Sequence, residues 1–588
     1  MGINQESHIR FYETEIETIT KKWRIFLSKR VNILIAEKKL FIARLLSFDE
    51  KTGHFIVRFR SDEVPRQFTQ YFMGLIGPKA ISYGEPALWN FTYKEFRNSK
   101  DNGLWGNRLG GEIITNRCFR VEGIWSYFKL TLNEQITANG LKKLLSEKKD
   151  LLVLITESDP LIQYLVNLQD YIIENPKDSI LNFNVDYDIK KWKPSLVDNE
   201  QDILDKIFNW TRQNDITIIQ GPPGTGKSFN AALLTDRLLK LGQSVCICSL
   251  ANKALIEIVN QDGLQNSLND GKIYKTNLTD EEMIEVPQLN QFDSDLPEQG
   301  KLLLTTYYKL SEIGQKLHKK KRRYDLIIIE EASQAFLATI AMFRSIAKKL
   351  LIIGDHMQLA PVVITNEDKL LKIDENIFRV INGMSTICSN NERQSFRLTK
   401  TRRLTEVASK QTGVFYNRTL SSISPLNNKV LHNIKIDKYF DLKGGVSLLK
   451  LPAGHTDYSM LFVKKLITGI SRDILSQVDK SVAILVQTRL LEIELTQALV
   501  KTKVNTEKII ISTVHKIQGI TVDYGIVYLP LKNANLELTE NFFNVATSRA
   551  KRGTLIITYK ETLDLAVDIS PLVKDFLNQC KIVNLNNI

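Results

Sequence analysis

At 588 residues, 43% of them hydrophobic, the chain is larger than one core organises, so two to four domains are expected. A net charge of +13, from 79 Lys and Arg against 66 Asp and Glu, admits a polyanionic partner without requiring one. The five cysteines (Cys118, Cys246, Cys248, Cys388, Cys580) include no Cys-x2-Cys pair and no His-x3-5-His companion, which argues against a zinc module or a disulfide framework. Residues 1–6 lack the apolar stretch of a signal peptide, Glu6 breaks the myristoylation pattern, and no apolar run approaches the ~18 residues of a membrane span. A soluble, cytoplasmic protein with no membrane partner is the expectation.

Ile9, Tyr12, Ile16, Ile19, Trp23 and Phe26 recur at spacings of three and four, predicting one face of a long helix. Leu161, Leu165, Leu168 and Ile172 repeat the pattern behind a Ser158 and Pro160 start signal. Between these helices the chain reads as β. Residues 40–48 and 54–60 flank a turn, and in the second run Phe55, Val57 and Phe59 alternate with Arg58 and Arg60. The predicted unit, residues 1–190, is a small barrel on a helical stalk, with an ordinary α+β domain as the alternative.

From about residue 191 short apolar strands alternate with helical segments, the pattern of parallel sheets. Predicted strands are 216–219, 245–249, 302–305, 326–329 and 350–353, then 482–486, 509–513, 525–529 and 554–558. They define two α/β units, 191–365 and 366–588. The densest basic run, Lys319 to Arg323, reads as a solvated helix end or as a phosphate contact.

Chemistry concentrates at strand ends. The strand 216–219 and Gln220 lead into Gly221-Pro222-Pro223-Gly224-Thr225-Gly226-Lys227-Ser228, a G-x-x-x-x-G-K-S loop lying between a strand and a predicted helix. Its glycines let backbone N–H groups face phosphate oxygens, Lys227 reaches the β- and γ-phosphates, and the Ser228 hydroxyl suits Mg²⁺, so ATP and Mg²⁺ are the expected ligands. A second buried strand ends on Glu330-Glu331, placing carboxylates at the same carboxyl edge. Glu330 is assigned to the metal and Glu331 to the attacking water. Gln201 stands upstream with an amide suited to the adenine edge, and Asp355 and Gln358 follow a third strand.

In order along the chain, these motifs resemble those of superfamily 1 helicases. The similarity is to the 5′-to-3′ branch, 1B, that contains the nonsense-mediated-decay helicase, and it spans about residues 196–560. The series is Gln201, the P-loop, Ser249-Leu250-Ala251-Asn252-Lys253, Thr305-Thr306, Glu330-Glu331-Ala332-Ser333-Gln334 and Gly354-Asp355-His356-Met357-Gln358. Leu398 to Leu404 then looks like the family's arginine motif, with Arg403 at the γ-phosphate position. Residues 513–523 look like its nucleic-acid-coupling loop, with Gly519 beside the nucleotide, and residues 544–550 like its last motif, with Arg549 as arginine finger. The resemblance implies two RecA-like P-loop domains in tandem after a stalk-borne barrel, and an ATP-driven helicase or translocase moving 5′ to 3′ on single-stranded DNA or RNA. It further implies that Lys227, Glu330, Glu331, Gln358, Arg403 and Arg549 serve ATP chemistry. Three departures stand out: Glu330 where the family has Asp, Thr401-Arg402-Arg403 in place of Gln-Tyr-Arg, and Thr521 where a ribose-binding Glu is expected. They leave open an alternative, a slow nucleic-acid-sensing ATPase that signals to a partner.

Overall fold

The computed structural model describes the chain apart from residues 1–3, 67–70, 77–89, 99–109, 133–134, 148–150, 184–188, 190–191, 199, 201, 295, 391–393, 428, 430–434, 453–459, 477–479, 502–507, 518, 532–537 and 586–588. The first helix, Gln5–Ser28, starts on Asn4, whose side chain accepts a 2.9 Å hydrogen bond from the Ser7 amide. Phe11 and Tyr12 are fully buried against Tyr164, Leu165 and Leu168 of the helix Ile162–Glu174 and against Phe336. Glu15 on the same helix accepts from the amides of Ile364 (2.6 Å) and Thr365 (2.9 Å). Both helices therefore share a core with the first α/β unit.

Between these helices, β1 (Leu40–Asp49), β2 (His54–Arg60), β3 (Tyr71–Ile76), β4 (Gly110–Glu122), β5 (Trp125–Leu132) and β6 (Leu151–Thr156) form a closed antiparallel barrel in the order β1-β2-β5-β4-β3-β6. Alternation decides which residues enter: Phe55, Val57, Phe59, Phe128 and Leu130 fill the interior while Arg58, Tyr127 and Lys129 point out. Ile493 and Val500, on the distant helix Arg489–Lys501, complete this cluster, so the barrel is packed against the second α/β unit.

The first large sheet contains β7 (Ser195–Val197), β8 (Ile216–Gln220), β9 (Val245–Ser249), β10 (Ile273–Lys275), β11 (Asn290–Gln291), β12 (Leu302–Thr306), β13 (Tyr324–Ile329), β14 (Ala347–Gly354) and β15 (Ser395–Leu398), ordered β11-β10-β12-β9-β13-β14-β8-β15-β7. A short ribbon of β16 (Lys400–Thr401) and β17 (Ser421–Ser422) follows. The second sheet has β18 (Val446–Leu451), β19 (Val482–Val486), β20 (Ile509–Thr513), β21 (Val522–Tyr528), β22 (Ala550–Tyr559) and β23 (Lys581–Val583), ordered β20-β19-β21-β22-β18-β23. Both sheets pair in parallel, so each has all its carboxyl ends on one edge.

The boundary expected at residue 365 moves. Helices Glu367–Leu371, Ile377–Ile381 and Gly383–Asn390 bury Leu370, Ile377, Val380, Met384 and Ile387 in the first core, and β15 pairs with β8 and β7. The first α/β unit runs to Leu398. Four-residue β15, with Ser and Arg in it, has too little periodicity to be read as a strand, and its partners lie far away in sequence. No helix among the described residues is long and apolar enough to cross a membrane.

Candidate functional site

β8 delivers the chain into loop 221–228, and the helix Lys227–Lys240 leaves it. Gly224 (φ 74°) and Gly226 (φ 83°) occupy the left-handed region, which glycine enters without cost. Contact also demands glycine: a Cβ on Gly221 would lie 2.2 Å from Lys227 Cγ, and one on Gly224 would lie 2.3 Å from Arg403 Cβ. Lys227 Nζ donates to the Gly221 carbonyl at 2.6 Å, and the Ser228 side chain lies beside the Glu330 carboxyl.

β13 stops where Glu331 turns to φ 53°, a left-handed conformation that costs a non-glycine residue on the order of 1–3 kcal/mol. Glu330 is 2% exposed; its Oε2 accepts from the Glu331 amide at 3.2 Å and its Oε1 is buried without a partner. Burial raises its pKa to about 7, with the neighbouring Glu331 pushing the same way and Lys227 and Ser228 opposing. The Tyr307 hydroxyl donates to the Glu330 carbonyl and pins the strand end. The site of Gly519, at φ 87°, faces this pair: a Cβ there would lie 3.8 Å from Glu331 Oε1.

A third strand end joins the two α/β units. Asp355, after β14, accepts from Gln220 Nε2 (3.0 Å), from Gln358 Nε2 (3.2 Å) and from the Tyr416 hydroxyl. Asn544 on the helix Glu540–Thr547 donates to the Tyr416 hydroxyl (2.7 Å) and to the Met357 carbonyl (2.7 Å), while Asn541 donates to the carbonyls of His356 (2.9 Å) and Gln358 (2.6 Å). One face of a second-unit helix is thus clamped on the 356–358 turn of the first. Gln358 Oε1 is buried without a partner.

Two arginines reach the same place from residues 399–404 and 548–549. Thr401 Oγ1 donates to the Pro223 carbonyl (2.8 Å) and the Arg402 amide to the Gly224 carbonyl (2.9 Å), so this segment lies on the P-loop itself. Burial pulls the Arg403 guanidinium down to about 9; Arg549 pushes it further down, and Glu257 and Glu331 oppose. Arg549 is 3% exposed, anchored by Nε on the Val545 carbonyl (3.1 Å), with Nη2 buried and unpartnered. Its own pKa is lowered by burial, and Glu331 is the largest opposing charge.

The structure therefore brings Lys227, Ser228, Glu330, Glu331, Gln358, Arg403, Arg549 and Gly519 to one edge, around glycines 221, 224 and 226. Pro222 and Pro223 act through their carbonyls, Pro222 accepting from Thr225 Oγ1 (2.9 Å). Gln201 lies outside the described residues. Thr401 entered the sequence reading only as a departure from the family's motif, and Tyr416, Asn541 and Asn544 were given no role of their own. Asn544 opens a motif already quoted, but an asparagine's partner is invisible until the helix is docked. Arg397, whose Nε donates to Gln220 Oε1 at 2.5 Å, escaped for the same reason.

Residues 205–364 match the AAA domain family. The DNA replication ATP-dependent helicase/nuclease DNA2 of Saccharomyces cerevisiae is 26% identical over 192 residues, 31% of this chain and 12% of that protein. The Regulator of nonsense transcripts 1 homolog of Drosophila melanogaster is 25% identical over 214 residues, 28% of this chain and 17% of that protein. The chain resembles the superfamily 1 helicases. It spans less than a fifth of the length of either relative. The arterivirus nonstructural protein 10 helicase is 14% identical at a TM-score of 0.32, covering 62% of this chain and 64% of its own, a likeness too low to carry an argument.

For a superfamily 1 motor the carboxyl-edge cluster is where nucleotide and metal would lie. The residues fit such a guest. Glu330 Oε1, Gln358 Oε1 and Arg549 Nη2 are buried polar atoms without partners, a state that costs about 1–3 kcal/mol each unless a ligand satisfies them.

Proposed function

We propose that this chain is an ATP-dependent helicase or translocase that moves along single-stranded DNA or RNA in the 5′-to-3′ direction. The observation that carries the reading is that Arg403, from the second α/β unit, packs on Gly224 of the first unit's P-loop, and that Arg403 and Arg549 are both within Coulomb range of Glu331. Two arginines on a separate unit stabilise phosphoryl-transfer charge only while the cleft is closed, which ties hydrolysis to motion between units.

In this reading the P-loop amides and Lys227 hold the phosphates, Gln201 reads adenine, and Gly519 lets the backbone approach the nucleotide. Ser228 and Glu330 hold Mg²⁺, which supplies charge neutralisation at the phosphates. Glu331 orients and deprotonates the attacking water, Gln358 senses the γ-phosphate, and Arg403 and Arg549 receive its charge. The strand crosses both α/β units, gripped by backbone charge and base stacking. The barrel is an accessory domain, and helices Gln5–Ser28 and Ile162–Glu174 are the stalk that carries it.

ATP turnover with single-stranded DNA, with single-stranded RNA and with neither tests the proposal, for the wild type, Glu331→Gln and Glu330→Asp. Stimulation by one strand, abolished in Glu331→Gln, is expected; no stimulation by either strand sinks the motor reading. The buried Glu330, one methylene longer than the family's aspartate, favours a second reading as a slow strand-sensing ATPase. A faster Glu330→Asp would mark the site as set for slow turnover.

A further inference from the structure

The run Lys319-Lys320-Lys321-Arg322-Arg323 has no part in ATP turnover. It closes the helix Tyr307–Lys319 and leads into β13, so it lies at the amino edge of the first large sheet. β13 is 6 residues long, which at about 3.3 Å per residue puts the run roughly 20 Å from Glu330 and Glu331, across the sheet from the nucleotide cluster. All five residues are exposed, and among the described residues none of their side chains makes an ion pair. Carboxylates of the same edge and the same helix are already engaged: Asp325 with Lys348 (2.7 Å), Asp215 with Lys349 (3.1 Å) and Glu312 with Lys309 (2.6 Å).

A helix end explains only part of this charge. The helix dipole favours cations within the last turn, where Lys316, His318 and Lys319 already lie. Lys320 caps the helix, and Lys321 (φ 50°) takes the left-handed position behind it that helices usually give to glycine. The Lys321 amide donates to the His318 carbonyl (3.1 Å) and the Arg322 amide to the Leu317 carbonyl (3.0 Å), which closes the turn. Lys321, Arg322 and Arg323 therefore stand beyond the reach of the dipole, gathered on an ordered backbone against their mutual repulsion.

We infer that this edge is a docking surface for the phosphate backbone of duplex nucleic acid, separate from the groove that takes the single strand. Charge without rings decides the partner. A single strand is held by aromatic side chains stacked on its bases, whereas Leu317 and Tyr324, the apolar neighbours of the run, are buried. A duplex keeps its bases inside and presents phosphates, which lysine and arginine contact whatever the sequence. An acidic protein would need an apolar centre to its interface, and the same two buried side chains supply none. The inference adds a duplex to the single strand of the proposed function and depends on neither the direction nor the rate of the motor.

The test is equilibrium binding of the full-length protein, without nucleotide, to a blunt DNA duplex of about 30 base pairs and to a single strand of the same length, over a series of salt concentrations. In Lys321→Gln/Arg322→Gln/Arg323→Gln the duplex affinity should fall at least about tenfold, and the slope of log affinity against log salt should flatten by about 2.7, roughly 0.9 for each cation removed. Single-strand affinity in the same variant should match wild type, which also shows that the variant folds. Arg322→Lys/Arg323→Lys keeps the charge and should keep the duplex affinity. A wild type that does not bind the duplex, an unchanged duplex salt slope in the triple variant, or an equal loss of single-strand affinity overturns the inference. Displacement of the duplex by polyglutamate as effective as by unlabelled duplex assigns the run to an acidic protein and overturns it too. Strand-stimulated ATP turnover without duplex binding defeats this inference alone. Duplex binding lost in the triple variant, with no strand stimulating turnover, defeats the motor reading and leaves this one standing.

Discussion

Arg66, at the end of the barrel, and Glu492, in the first turn of the helix Arg489–Lys501, form an ion pair at 3.5 Å with side chains 5% and 0% exposed. None of Arg66 Nη1, Glu492 Oε1 or Glu492 Oε2 has a hydrogen-bond partner. The pair itself contributes little net stability, because desolvation cancels most of the attraction. Breaking it is a different matter. Arg66→Met leaves Glu492 buried and uncompensated, at a cost of about 3–5 kcal/mol. Lys516 moderates that figure. Burial and repulsion from Arg66 hold its pKa down to about 7, so losing Arg66 makes it a better cation for Glu492. The expected loss is therefore the lower end, about 3 kcal/mol or roughly 150-fold in the opening equilibrium. Unfolding of several units is not two-state, so hydrogen exchange in the helix Arg489–Lys501 and in β4 is the suitable measurement. Arg66→Met should speed exchange in both, Arg66→Met/Lys516→Met more so, and Arg66→Met/Glu492→Leu should restore near-wild-type protection. If the Arg66→Met single variant exchanges like wild type, or the double with Glu492→Leu is as exposed as the single, the reasoning from an uncompensated charge is refuted.

Gly224→Ala meets both a positive φ and Arg403 Cβ at 2.3 Å, so it should depress ATP turnover by about 100-fold or more while thermal stability changes little, as paired kinetics and melting would show. Asn544→Ala removes one hydrogen bond between the α/β units, to the Met357 carbonyl, and one within the second, to the Tyr416 hydroxyl; strand-stimulated turnover should fall severalfold with basal turnover kept, and equal losses in both would contradict a coupling role. His8 and His356 are buried and held at about 4, below the ordinary 6.5. Between those values the unfolded chain binds protons that the folded one does not, so stability falls as pH drops from 6.5 to 4, by up to about 1.4 kcal/mol per unit for each histidine. His8→Gln, which keeps a donor for the Leu181 carbonyl, should flatten melting temperature against pH over that window.

Local chemistry was legible in the sequence because it needs only neighbours. The glycine-rich loop, the strand that ends on Glu330-Glu331 and the alternation of Phe55, Val57 and Phe59 each depend on a few adjacent residues and a fixed period. The boundary near residue 365 was misplaced because β15 owes its strand to β8 and β7, not to its own four residues. Which polar groups meet was equally out of reach. Asn544 with Tyr416, Thr401 with Pro223, and Arg66 with Glu492 are pairs whose partners chain folding alone brings within hydrogen-bond or Coulomb range. By itself, then, the sequence determined the parallel α/β texture and the phosphate-binding loop with its acidic strand end. Tertiary structure decided that the helices Gln5–Ser28 and Ile162–Glu174 join the first core, that the barrel leans on the second unit, and that two arginines of the second unit come within Coulomb range of Glu331. The physical reason is range: backbone conformation and periodicity are set within a few residues, whereas burial and electrostatic pairing depend on distances that exist only after the chain has folded.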